Sequence, residues 1–305
     1  ITVDTVAPEV TVSSNVASVA TGETATITFT LSEASSDFVE SDVVVTGGTI
    51  GTWDATSAPT YTATFTPDPD FVGAATITVP AAAFSDTAGN DNTEGAVSLA
   101  VNTVAPTVAI TSSATTLGSN GTAVITFVLS ADSVDFEEAD ITVTGGTLSG
   151  FSGSGSTYSA IFTPTADSTT PGQIAVAADK FQDADTNPNL AGALATAITI
   201  DTVAPTTTID DPSPASVGIG ETSTISITLG KPSTDFAIGD IAVAGGSLSD
   251  FVAVSGTVYT VVFTPDTNQA AATGSVTVKP GTYTDAAGNS SIDPTPLTNA
   301  KVDIT

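Results

Sequence analysis

The chain has 305 residues, with 33 acids against four bases and a formal net charge of −29. All four bases are lysines (Lys180, Lys231, Lys279 and Lys301), so nucleic-acid phosphate has no basic cluster to bind and an anionic membrane surface repels the chain. Histidine and cysteine are absent, which excludes Ser-His-Asp and Cys-His catalysis and disulfide scaffolding, and leaves zinc or copper with poor ligands.

Only 12% of residues are charged while 40% are hydrophobic, so this is a folding sequence and not an acidic tail. No apolar run reaches ~18 residues, so nothing reads as a membrane span, and no signal peptide opens the sequence. The stretch Asp4-Thr5-Val6-Ala7-Pro8 returns at Asn102 to Pro106 and at Asp201 to Pro205. A spacing of roughly 100 residues is too long for a solenoid unit and suits a whole small domain. Three domains are predicted, at 1–101, 102–200 and 201–305, with Asp303 standing where a further junction would begin.

In the first repeat, Glu9 to Ser13 alternates after the junction proline, and Thr26 to Leu31 alternates strictly with Ile27, Phe29 and Leu31 on one face. Val43-Val44-Val45 runs into the turn Thr46-Gly47-Gly48-Thr49, and a weak strand is expected near Ile50 to Asp54. Tyr61 to Thr66 alternates and stops at Pro67. Ala75 to Val79 and Ala96 to Val101 complete about seven strands, the number of a small β-sandwich. The later repeats retrace this order through Val124 to Leu129 and Thr224 to Leu229, then Tyr158 to Pro164 and Tyr259 to Pro265. No stretch carries helical periodicity. The fold class is therefore all-β: three β-sandwiches in tandem.

In an up-and-down series of strands the loops alternate between the two ends of each sandwich. The far end of the first repeat then offers Glu23, Asp68 and Asp70, beside linker residue Asn102. The near end of the second offers Asp135, Asp140, Asp183 and Asp185. Carboxylates at ~4 Å repel by about 1 to 4 kcal/mol, and a dication taking 6–8 oxygens turns that repulsion into cross-linking. Calcium suits this set better than magnesium, which demands tighter octahedral geometry. The candidate ligands extend by repetition to Asp4, Asp42, Asp86, Asn90, Asp201, Glu221, Asp240, Asp285, Asn289 and Asp303. Loop Asp and Asn also cap turns without any metal. Asp42, Asp140 and Asp240 precede strands and rank below Asp86, Asp183 and Asp285, while Asp37, Asp135 and Asp235 read as turn or solubility residues.

The combination of Asp-Thr-Val-Ala-Pro, Gly22-Glu23-Thr24, Val-Thr-Gly-Gly-Thr, Tyr-Thr-Ala-Thr-Phe-Thr-Pro and Phe84-Ser85-Asp86-Thr87-Ala88-Gly89-Asn90 resembles the bacterial immunoglobulin-like repeats. Such repeats form the extender region of giant adhesins exported by type I secretion, including RTX and biofilm adhesins. The resemblance implies an extracellular stalk on a bacterial surface whose joints bind calcium. Two features of the second repeat depart from the pattern. Asn120-Gly121 stands where Gly22-Glu23 stands, which puts one ligand of the second joint in doubt, and Phe181 to Asn189 is read as replacing the Asp-x-x-Gly-Asn loop.

Other readings of the same residues are weaker. The threonine rows Thr26-Thr28-Thr30 and Thr62-Thr64-Thr66 could bind ice, but threonine is a good strand former on a solvated face. Trp53 could stack on a sugar, making one repeat a carbohydrate- or protein-binding module, but a single tryptophan packed on its own domain is the simpler reading. Paired carboxylates could serve a glycosidase, yet near-repetition of every acid in three repeats argues for a structural part. Short linkers closed by proline, together with mutual charge repulsion, predict a monomeric rod of roughly 100 to 130 Å whose partners are the neighbouring repeats.

Overall fold

The computed structural model describes residues 3–267, 272–292 and 299–305. The first repeat contains β1 (Val10–Ser14), β2 (Ser18–Ala20), β3 (Ala25–Leu31), β4 (Val44–Thr46), β5 (Gly48–Ser57), β6 (Thr60–Pro67), β7 (Val72–Val79) and β8 (Gly95–Asn102). They form two four-stranded sheets, ordered β1-β3-β6-β5 and β2-β8-β7-β4. In β3 the period of two places Ala25, Ile27, Phe29 and Leu31 in the core. The intervening Thr26, Thr28 and Thr30 lie opposite Thr64, Thr62 and Thr60 across the ladder with β6, which suits a branched side chain on a pleated surface. Phe29, Phe65, Ile77 and Leu99 from both sheets are essentially sealed from solvent.

Two expectations about the strands need correction. The leading strand is cut after Ser14: β1 pairs antiparallel with β3, whereas β2 crosses to the other sheet and runs parallel to β8. The series is therefore not simply up-and-down. The loops still alternate between ends, because β1 and β2 run the same way. The weak strand near Ile50 is in fact the ten-residue β5, paired with β6 through two register shifts. At the first shift Thr52 has φ +54°, a left-handed conformation that turns Trp53 inward.

The other repeats follow the same plan around their own cores. In the second, Ala123–Ser133 lies between Val108–Ser112 and Gly146–Pro164, and Thr116–Leu117 runs parallel to Thr199–Ile200. In the third, Ser223–Leu229 is flanked by Thr207–Ile209 and Val258–Pro265, and Ser216–Val217 runs parallel to Ala300–Ile304. Each core is centred on a phenylalanine from the loop after the β3-type strand: Phe38, Phe136 or Phe236. Trp53 packs on Phe29, Phe38 and Tyr61, and its counterparts Phe151 and Phe251 pack on Phe136 and Phe236. Trp53 thus has an aromatic equivalent in every repeat and belongs to the core cluster.

The register also moves one junction residue. Thr305 donates its N–H to Val217, as Asp201 does to Leu117, so Thr305 is the counterpart of Asp201. Asp303 lies two residues earlier, inside Ala300–Ile304, opposite Ser216 and Thr273. Among the described residues the helical elements are three 3-10 turns, and no helix is long and apolar enough to cross a membrane.

Candidate functional site

Each linker is pinned on both sides. Thr103 donates its hydroxyl to the Asp68 carbonyl and accepts the N–H of Phe71, and Thr202 does the same with the Thr165 carbonyl and the N–H of Ser168. Three residues on, the carbonyls of Pro8, Pro106 and Pro205 accept the N–H groups of Thr93, Leu190 and Ile292 from the following sandwich. Only Val104-Ala105 and Val203-Ala204 stand between these anchors. The first residue of each linker closes an Asx turn, with Asp4, Asn102 and Asp201 accepting the N–H of Val6, Val104 and Val203.

Against each linker lies the last loop of the following repeat. Asp86, Asp183 and Asp285 each accept the backbone N–H of the asparagine four residues later: Asn90, Asn187 or Asn289. That asparagine returns its Nδ2 to the same carboxylate. In the second and third repeats its Oδ1 reaches into the preceding sandwich. Asn187 accepts the N–H of Thr21 at 2.8 Å, and Asn289 that of Ser119 at 2.7 Å. Both are almost fully buried, so each supplies a satisfied polar latch between domains. The loop of the second repeat is consequently not a replacement. Thr186 takes φ +70° where Gly89 and Gly288 have +89° and +80°, and the same backbone hydrogen bonds close all three loops. Threonine in that region carries a steric cost of about 1–2 kcal/mol.

The predicted ligands fall into separate groups. At the near end of the first repeat Asp4 and Asp86 come together with Glu33, their carboxylate oxygens all within 4.8 Å of one another. The first joint brings Asn102 to Asp185 at 2.7 Å and to Asp183 at 3.5 Å. Glu23 borders the same hollow of about 510 Å³ as Asn102 and Asp185, while one of its oxygens accepts the N–H of Ala20. At the second joint Asp201 and Asp285 meet across the ammonium of Lys231, at 2.6 and 3.0 Å.

The remaining candidates do other work. Asp42, Asp140 and Asp240 accept the N–H groups of Val39, Glu137 and Ala237 and so cap the three 3-10 turns. Glu221 caps the N–H of Gly218. Asp70 has φ +52° in the turn after β6, a conformation aspartate tolerates better than most residues. Asp68 contributes its carbonyl to Thr103. Asp37 and Asp235, expected only in turns, also bind the last loop, accepting the N–H groups of Ser85 and Thr284, and Asp135 binds that of Gln182.

Charge balance differs between the groups. Burial and the nearby charges of Asp86 and Asp4 raise the pKa of Glu33, while hydrogen bonds from Asn90 lower that of Asp86. Burial works against the charge on Lys231, but Asp201 and Asp285 outweigh it and raise its pKa. Burial alone would raise Asp285, yet Asn289 and Lys231 bring it below the usual value. Asp37 is lowered by the Ser35 hydroxyl and by Ser85. A carboxylate lowered in the folded state stabilises it above the unfolded value of about 3.9, and that contribution is lost as pH falls through the folded value. Melting temperature should therefore drop as pH falls below about 4. Asp37→Asn should flatten that dependence in the first repeat, and an unchanged slope for Asp37→Asn would contradict the assignment.

Three tandem sandwiches of this topology, joined end to end by pinned linkers, define the chain as a multidomain immunoglobulin-like protein. Residues 4–103, 102–200 and 201–302 each match the bacterial Ig-like domain family, and the chain belongs to that family. Among curated proteins no sequence matches it. Solved structures with a similar fold include the Escherichia coli adhesin FdeC, at 14% identity over 100% of this chain and 98% of that one, TM-score 0.38. Another is InvD of Yersinia pseudotuberculosis, at 16% identity over 96% and 78%, TM-score 0.30. The titin fragment I67–I69 aligns at 8% identity over 98% and 97%, TM-score 0.40.

Proposed function

We propose that the chain is an extender segment of a bacterial surface adhesin: a monomeric, non-enzymatic stalk that holds a distal binding region away from the cell, stiffened by calcium at the near ends of some repeats. The observation that carries this reading is the trio Asp4, Glu33 and Asp86. Its three acids gather oxygens within 4.8 Å in a repeat that contains no lysine or arginine at all. Hard carboxylate oxygens with no internal cation are a donor set that fits calcium. A bound ion there would tie the linker residue Asp4 to the loops carrying Glu33 and Asp86. Asp183 and Asp185, with Glu23 across the hollow, form a second candidate, in which the Asn102 amide stands where the first has the Asp4 carboxylate.

The pinned linkers support the stalk. With two residues between anchors, a sandwich has little freedom to fold back on its neighbour. Extracellular placement and export as part of an RTX-type adhesin belong to the same proposal.

Isothermal titration of the whole chain with calcium tests the metal. Glu33→Gln keeps the shape of the side chain and removes one charge, and should weaken the tightest site by tenfold or more. Absence of calcium binding, or a Glu33→Gln titration identical to the parent, would remove calcium from the reading. Small-angle scattering of the same samples should give an elongated particle, and a compact one would remove the stalk.

A further inference from the structure

One position carries an acid, a neutral residue or a base in the three near ends. It is the residue two beyond the last core leucine of the β3-type strand, Leu31, Leu129 or Leu229. The residue before it, Ser32, Ser130 or Gly230, donates its N–H to Glu9, Thr107 or Thr206, which fixes the correspondence. The position itself holds Glu33, Ala131 and Lys231. In the first and third repeats it faces the linker's first residue (Asp4, Asp201) and the last loop's aspartate (Asp86, Asp285). The first repeat thus presents three carboxylates, and the second an amide against carboxylates. The third presents two carboxylates with an ammonium between them.

We infer that Lys231 is a resident cation that closes the second joint without a metal, and that the residue at this position sets whether a joint depends on a divalent ion. The ammonium has three oxygen partners: Asp201 Oδ1, Asp285 Oδ2 and the carbonyl of Val203. Two belong to the linker and one to the loop, so the contact ties the same two segments that an ion at Asp4, Glu33 and Asp86 would tie. Its Asp285 partner is 2% exposed, and the Lys231 side chain 25%. Removing a cation from a carboxylate that deeply placed leaves a buried charge uncompensated, which is more costly than losing a surface pair. Asp285 also holds Asn289, which accepts the N–H of Ser119 across the joint. Lys231 therefore acts on the joint as a positioning residue, through Asp285 and Asn289.

The test uses the full chain and two variants, Lys231→Met and Lys231→Glu, with exchange of the Ser119 amide followed by NMR. In the parent chain Ser119 should exchange at the same rate in calcium and in chelator. Lys231→Met should speed it at least tenfold in both, while Thr21 at the first joint keeps its parent rate in each condition. Lys231→Glu recreates the acidic trio and rests on the calcium reading above. It should lose protection in chelator, regain it in millimolar calcium, and bind one more calcium equivalent than the parent. Parent-like exchange in Lys231→Met, or loss of Ser119 protection when the parent is chelated, would overturn the inference. If Lys231→Met loses protection and Lys231→Glu gains no calcium, the ammonium stands as the closure and the calcium reading of the trio falls.

Discussion

Asn92→Ala is expected to shift the urea midpoint of the first repeat downward by about 1.5–3 M, the equivalent of roughly 2–4 kcal/mol at the slope usual for a domain of this size. Asn92 is 3% exposed and uses its whole carboxamide on the backbone. Its Oδ1 accepts the N–H groups of Ala83 and Phe84 at 2.7 and 2.9 Å, and its Nδ2 donates to the carbonyls of Pro80 and Thr93, both at 2.8 Å. Alanine leaves two donors and two acceptors inside the loop without partners, and each buried one costs about 1–3 kcal/mol unless water reaches it. The loop concerned is the one that presents Asp86 and Asn90, so on the calcium reading proposed above the affinity for calcium should fall along with stability. Trp53 lies in the first repeat and is the chain's single tryptophan, so its fluorescence follows that repeat alone. Asn189→Ala makes the same change in the second repeat, where Asn189 binds Lys180, Phe181, Ala177 and Leu190. It should leave the tryptophan transition in place. A shift below 0.5 M for Asn92→Ala, a small fraction of the expectation from buried hydrogen bonds, would mean that water substitutes for the side chain.

The sandwich fold was legible because alternation and repetition reinforce one another. Ile27, Phe29 and Leu31 announce a buried face, and the same pattern appears twice more at the same spacing. What escaped the pattern was short or bent. Ser18–Ala20 holds three residues, too few for a period, and its parallel partner β8 is some 80 residues away in sequence, a pairing no local signal carries. The strand β5 was underestimated because its bulge breaks the alternation near Trp53. At the joints, strand alternation placed the loops at the correct ends, and the strand that follows Asp42 ranked it below Asp86. The structure agrees with that order, since Asp42 closes a 3-10 turn while Asp86 holds Asn90 beside Asp4. Asn187 was overlooked although it stands four residues after Asp183, as Asn90 does after Asp86. Lys231 was noticed only as one of four bases. In a chain of charge −29, a lysine in line with Glu33 was the available signal.

Gly118→Ala should open the second joint while leaving the fold of both flanking sandwiches intact. Gly118 lies in the turn after Thr116–Leu117, facing the last loop of the third repeat. A Cβ there would sit 2.2 Å from the carbonyl oxygen of Ala287 and 3.2 Å from Oδ1 of Asn289. Real Cβ atoms do not come under 3.0 Å, so the turn and the loop must separate by most of an ångström. Its φ lies outside the left-handed region, so alanine meets no backbone penalty within its own sandwich. The obstacle is a backbone oxygen, which no rotamer change can move aside. The 2.7 Å contact from Ser119 to Asn289 is adjacent and cannot survive that separation. Exchange of the Ser119 amide should accelerate by about a hundredfold, the scale of losing a buried hydrogen bond together with its packing, with melting temperatures close to those of the parent. At the first joint the corresponding residue is Ala20, already buried with its Cβ in place, so that joint accepts the extra carbon. Ala20→Gly should accordingly leave Thr21 exchange near its parent rate. If Gly118→Ala exchanges Ser119 at the parent rate, the two sandwiches stand farther apart in solution than this contact requires, and the glycine is free of any role in the joint.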